Sequence, residues 1–380
     1  MPPENAANNG DLAEVLEAHL TSVRTKSLDQ SFNELLDMYA DAELIISPEY
    51  QRLFRWSLGK QSRFIESLLL ELPVPPLYVI ETADGVYELI DGLQRLSSYL
   101  HFRGELQKLD EPGEKLVGFS LEECDIAPEL NGKSYQDLPS SLRIRLKRSY
   151  VRVEVIRKES DQRLRYFMFK RLNTGGELLS EQELRNCTIR LLSTTFNDFL
   201  AEMSGYPAYK LCISNVSDNK VQAKYDQELV LRFFALKNWR AAYIHEVGEF
   251  LTEYMEAVSD VENQQVTFDF DGNRACFKKT FDVLNTALGD RSFSAINAQG
   301  TFVTRFLVYH FEAFSLGIQS HLDSLNADNG AQMAQLASVM TDIKNDGSFR
   351  DLTTGGGKNY PGPLKDRIEF VENKMSEKTW

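Results

Sequence analysis

The sequence predicts an α+β protein in two parts: a small mixed sheet with its helices in the first half, and an all-helical second half. Two observations carry this. Residues 77–81 and 86–90 are rich in Tyr, Val and Ile and flank an Ala83-Asp84-Gly85 turn, while residues 150–156 alternate Val151, Val153 and Val155 with Arg152 and Glu154. Such runs suit a pleated, half-buried surface. From about Thr188 the pattern changes to long amphipathic helices joined by polar segments. The chain of 380 residues has room for two or three domains. The expected division is a tail and helix over 1–30, a sheet-bearing domain over 31–189 and a helical domain over 190–380.

Taken in order, residues 1–10 are polar and are expected to be disordered. Residues 11–40 carry helical stripes, Leu12, Val15, Leu16 and Leu20, then Phe32, Leu35, Leu36 and Tyr39, with Asp29 or Ser27 as the second helix's cap. A short strand is expected over 43–47, stopped by Pro48. Residues 61–72 read as a helix with Phe64, Ile65, Leu68 and Leu69 inward, ended by Pro73, Pro75 and Pro76. The hairpin over 77–90 follows, and Asp91-Gly92 leads directly into a helix with Leu93, Leu96, Tyr99 and Leu100 on its core face. Further on come a strand over 116–119, a helix over 140–148 after Pro139, the strand over 150–156 and a helix over 161–172. Ser180 and Glu183 have capping-box spacing for the next helix. The aromatic residues Phe233, Phe234, Trp239, Tyr243, Phe250 and Tyr254 are expected to be core. The Gly355-Gly356-Gly357-Lys358 run lacks Walker spacing and reads as a flexible loop that could act as a lid.

Composition limits the function. A net charge of −14 argues against a broad, non-specific nucleic-acid binder. The basic exception is the interval 143–171, which holds eleven Lys and Arg residues and is either a solvated face or a surface for phosphate or DNA. Cys124, Cys187, Cys212 and Cys276 are widely spaced, as reduced thiols of a cytoplasmic protein would be. No apolar run has membrane-span length, and the first residues lack a signal-peptide pattern.

The chemistry centres on 91–95. The first amides of a helix lack intrahelical partners and the dipole is positive there, so this end attracts anions. Gly92 would let a ligand approach the backbone, and Arg95 could offer forked donors to phosphate oxygens. Asp91 could cap the helix, hold a metal ion or position water.

The block Ile90-Asp91-Gly92-Leu93-Gln94-Arg95 resembles the Asp-Gly-Gln-Gln-Arg signature of the GmrSD-type restriction-enzyme N-terminal domain, a ParB/sulfiredoxin-like family. Two further blocks are similar to its pattern: residues 45–79, with Pro48, Tyr50, Gln51, Arg52 and Trp56 and the Pro73–Pro76 run, and residues 169–186, with Arg171, Asn173, Gly175, Gly176, Glu183, Arg185 and Asn186. Leu93 departs from the signature, standing where the family has its first Gln. The resemblance implies a nucleoside triphosphate with Mg²⁺: phosphates at Gly92 and Arg95, with Gln51, Arg52, Arg171 and the Asn173–Gly176 turn completing the cradle. Asp91 would hold Mg²⁺ or water, and Gln94 would orient the attacking water. The Gly175-Gly176 block would fold back against 91–95.

This gives a cytoplasmic nucleotide-binding, NTP-hydrolysing protein of prokaryotic anti-phage defence as the expected function, with DNA at 143–171, a separate nuclease subunit as a partner and oligomer formation as a possibility. Two alternatives stay open: a non-catalytic nucleotide- or DNA-binding module, and a nuclease cutting with Asp91 and Glu88. No His-Asn-His nuclease pattern surrounds His245, His310 or His321.

Overall fold

The structure, a computed structural model, describes residues 24–380 except 83–84, 112, 159, 161, 174–179, 245, 262–264 and 298. The expected N-terminal tail, most of the first helix, and the turn at 83–84 lie outside the described residues. The chain divides into two compact units, residues 1–179 and 180–380.

The first unit is built on a five-stranded sheet in the order β1-β5-β3-β4-β2. Its strands are β1 (Thr25–Ser31), β2 (Leu44–Ile45), β3 (Leu77–Glu81), β4 (Tyr87–Asp91) and β5 (Tyr150–Ile156). The β1/β5 and β3/β4 pairs are antiparallel, and β3/β5 and β2/β4 are parallel, so the sheet is mixed. Its helices are α1 (Phe32–Ala40), α2 (Pro48–Gln51), α3 (Leu58–Leu69), α4 (Leu93–Arg103), α5 (Ser140–Arg148) and α6 (Gln162–Asn173). Val151, Val153 and Val155 of β5 point into the core, as period two requires. Phe32, Phe64 and Tyr99 join α1, α3 and α4 in one aromatic cluster.

Four expectations are corrected. Residues 25–31 form a strand, not part of a helix, because their backbone pairs with all seven residues of β5. The cap of α1 is Ser31, whose hydroxyl accepts from the Glu34 amide at 3.1 Å. The predicted strand over 43–47 shrinks to Leu44–Ile45. No strand forms at 116–119: Leu116 bonds the Leu106 carbonyl, Gly118 packs on the end of α4, and the following amides are taken by α3 side chains. Glu122 donates to Ser62, and Ile126 and Ala127 donate to the buried Glu66 carboxylate.

The second unit contains α7 (Glu181–Thr188), α8 (Thr195–Ser204), α9 (Pro207–Cys212), α10 (Asp218–Gln222), α11 (Tyr225–Asn238), α12 (Val247–Ser259), α13 (Phe270–Leu288), α14 (Val308–Gly317), α15 (Gly330–Asn345), α16 (Gly347–Thr353) and α17 (Pro361–Ser376). Ser180 and Glu183 form the expected capping box at the start of α7. Phe233, Phe234, Tyr243, Phe250 and Tyr254 are buried and Trp239 half-buried, so they serve as core. A chain of alternating charges crosses this core: Arg185 to Glu228, Glu228 to Arg232, Arg232 to Glu312 at 2.7 Å and Glu312 to Arg367. The Gly355–Gly357 run is a connection between α16 and α17, with Gly355 and Gly357 in the left-handed region.

Candidate nucleotide-phosphate site

The site forms where β4 turns into α4. Gly92 links them with φ +98°, and a Cβ there would lie 2.1 Å from Leu77 Cδ2. The residue is therefore glycine for its backbone angle and for β3 packing, which differs from the expected role of admitting a ligand. No side chain caps α4, so its first-turn amides keep their outward donors.

Beside this helix start, the Arg95 Nη2 group donates to Asp91 Oδ2 at 2.8 Å, and Nη1 donates to the carbonyls of Pro75 and Pro76 at 2.7 and 2.9 Å. The proline run thus presents two carbonyls that fix the guanidinium. The Arg95 and Asp91 side chains are 13% and 29% exposed, and the second carboxylate oxygen, Oδ1, has no hydrogen-bond partner among the described residues. Arg95 was expected to grip phosphate directly; in this geometry it holds Asp91 and the proline run in place.

Gln94 is also committed. Its Oε1 accepts from the amides of Arg55 and Trp56 at 3.0 and 3.1 Å, and Nε2 donates to the Leu53 carbonyl at 2.6 Å. The carboxamide staples the 53–56 loop to α4 instead of pointing at a water. Tyr50, buried, donates its hydroxyl to the Ile90 carbonyl at 3.0 Å, and Gln51 donates to the Gln107 carbonyl at 2.7 Å. The Pro48–Trp56 block is therefore docked on β4 and α4. Between them, Arg52 is exposed, and its guanidinium makes no hydrogen bond or ion pair among the described residues. Trp56 is half-buried against Phe64, with the rings edge to face.

Three features escaped the sequence reading. His101, two turns along α4 from Gln94, hydrogen-bonds Gln61 at 2.9 Å between the rings of Phe54 and Phe119, and burial lowers its pKa. In β4, Leu89 pairs with Val79 but Asp91 with Tyr78, leaving Ile90 as an extra residue. This bulge turns Asp91 onto the face that Glu88 shares through Ile80, although their odd spacing would oppose them in a regular strand. Finally, Arg185 belongs to the 169–186 block that resembles the family pattern. It is buried in the second unit, where it bonds Thr252, Gln182, Glu181 and the Gly248 carbonyl. Asn186 is likewise buried there, bonded to Gln227 and Gln182.

Of the remaining cradle residues, Arg171 is exposed in the last turn of α6. Gly175 and Gly176, and the side chain of Asn173, lie outside the described residues, as does the expected approach of that turn to 91–95.

The Mg²⁺ expectation can be tested on the donor set. Among the described residues no three His, Cys, Asp or Glu side chains gather to hold a metal ion. One free carboxylate oxygen at Asp91 fits a Mg²⁺ that arrives with its phosphates and does not fit a resident metal cage.

Residues 32–190 match the family model described as GmrSD restriction endonuclease, N-terminal domain. That segment is similar to a GmrSD N-terminal domain. Within that segment lie strands β2 to β5, the docked Pro48–Trp56 block and the Asp91–Arg95 pair. Neither a curated protein nor a solved structure matches the chain. Among the described residues, no helix is long and apolar enough to cross a membrane.

Proposed function

We propose that the GmrSD-like N-terminal domain of this chain binds a nucleoside triphosphate by its phosphates and hydrolyses it with Mg²⁺, acting as sensor or regulator of DNA cleavage in a restriction-like, anti-phage defence system. The family match supports the restriction-related setting. The observation that carries the nucleotide reading is the side-chain-free start of α4 beside a half-open Asp91–Arg95 pair. Phosphate oxygens would take the first-turn amides and the free Arg52 guanidinium. Asp91 Oδ1 would hold Mg²⁺, which supplies charge neutralisation at the phosphates. Arg95 is then a positioning residue for Asp91. The partners of this reading are DNA and a separate nuclease subunit.

A second reading, nucleotide binding without turnover, is favoured by two residues. Leu93 is buried in the core, and the Gln94 carboxamide is spent on the 53–56 loop, so neither is placed to orient water. Phosphate release with ATP, GTP, CTP or UTP plus Mg²⁺, repeated with Asp91→Asn, separates the two. Release that the variant lowers tenfold or more supports hydrolysis. Binding without release selects the second reading, and no binding of any of the four overturns both.

A further inference from the structure

A cleft of about 820 Å³ opens elsewhere in the first unit. One wall is the end of α3 and the Glu71–Val74 connection; the other is α5 and the start of β5, with Asp29 of β1 at the margin. Its volume is in the range of ligand pockets, roughly 300–1,000 Å³. None of the 91–95 residues lines it.

The cleft combines cationic groups with an exposed aromatic ring. Helix α5 has the sequence SSLRIRLKR, four basic residues and no acid, with three of them in its last turn. Three guanidiniums reach the cleft: Arg145, Arg148 and Arg152. Two carboxylates answer two of them. Glu71 lies 3.6 Å from Arg145, and Asp29 lies 3.1 Å from Arg152; all four side chains are at least half exposed. Such exposed pairs are worth little and exchange readily for a phosphate. Arg148 is exposed and makes no hydrogen bond or ion pair among the described residues. Between these cations Tyr150 is 72% exposed, with Ile144 at 47% and Leu72 at 42%. Three apolar groups open to water beside three guanidiniums on a chain of net charge −14 form a local site, not a general basic surface.

We infer that this cleft binds a single-stranded nucleic acid, with backbone phosphates on Arg145, Arg148 and Arg152 and a base stacked on Tyr150. A duplex could use the guanidiniums but keeps its bases stacked inside, where the ring of Tyr150 cannot reach them. An unpaired strand uses both the charge and the ring. The inference is independent of the nucleotide reading, since it involves none of the residues around α4.

The test is fluorescence anisotropy of the full chain with labelled oligo(dT), oligo(rU) and a blunt duplex of equal length at low salt, with Arg148→Glu and Tyr150→Ala. Both side chains are exposed, so circular dichroism should show the variants folded; Tyr150→Phe keeps the ring and should rescue. Expected are tighter binding of single strand than duplex, a loss of about tenfold or more in each variant, and a log–log salt slope of about −2 from three phosphate contacts on a single strand. Oligonucleotide binding should persist with neither nucleotide nor Mg²⁺ added, which separates this result from the fate of the nucleotide reading. No binding to either oligonucleotide, equal affinity for duplex and single strand, or an undiminished Arg148→Glu or Tyr150→Ala would overturn the inference.

Discussion

The two units handle buried charge in opposite ways. In the helical unit, Glu312 is fully buried between Arg232 and Arg367, and every partner is protein. In the sheet unit, Asp91 gives one oxygen to Arg95 and keeps the other open at the start of a helix that no side chain caps. A closed network of this kind holds helices in place. The half-open pair leaves unmet valence where an anion or metal can complete it, which is why the functional reading belongs to β4 and α4 and not to the more charged core.

The largest expected effect breaks the closed network. Glu312→Ala would leave the buried Arg367 without a carboxylate and Arg232 with Glu228 alone, and should destabilise the chain by about 3–5 kcal/mol, read from urea unfolding. If the loss is below about 1 kcal/mol, the network is not closed in the sense used here. Next, Gly92→Ala tests the frame of the half-open pair. It forces a non-glycine into φ +98° and a Cβ against Leu77, and about 1–3 kcal/mol should be lost.

The helical unit also holds a closed pocket around a buried lysine. Lys344 donates to the carbonyls of Ser292 and Ser294 at 2.8 and 2.7 Å, beside the buried His310. Burial, with Lys344 as neighbour, lowers the His310 pKa well below its ordinary value. The unfolded chain therefore binds that proton more readily than the folded one. Stability from this group is present above the unfolded pKa of about 6.5 and falls as pH drops below it, by about 1.4 kcal/mol per pH unit at most. Unfolding at pH 7.5 and 5.5 should show the loss, and His310→Asn should remove that part of the slope. An unchanged slope in the variant would mean that the ring does not titrate between the states. The smallest effect is local: Gln94→Ala should cost about 1 kcal/mol and raise amide exchange at 55 and 56, whose donors it releases.

Much of this architecture is legible in the sequence because its signals are local. The period-two pattern of 150–156, the Asp91-Gly92 strand-to-helix turn and the Ser180–Glu183 box each depend on neighbours a few residues away. What was missed is non-local. Residues 25–31 have no strong apolar alternation and become a strand only because β5 offers an edge. The acceptors of Arg95 belong to Pro75 and Pro76, and Gln94 meets a loop about forty residues upstream. Residue type announced polar chemistry at 94 and 95, but only the fold shows that those groups already have partners. The bulge at Ile90 likewise shows itself only in the register with β3.

The most direct measurement is calorimetric titration of the full chain with ATP, GTP, CTP and UTP in Mg²⁺, comparing wild type with Arg52→Ala. The exposed Arg52 side chain makes no hydrogen bond or ion pair among the described residues, so the variant is expected to change the candidate site and little else. The account predicts that at least one nucleotide binds and that Arg52→Ala weakens it by about tenfold to a hundredfold, the worth of one charge-assisted bond to phosphate. Equal affinity in wild type and variant would contradict a phosphate cradle shared by Arg52 and the start of α4.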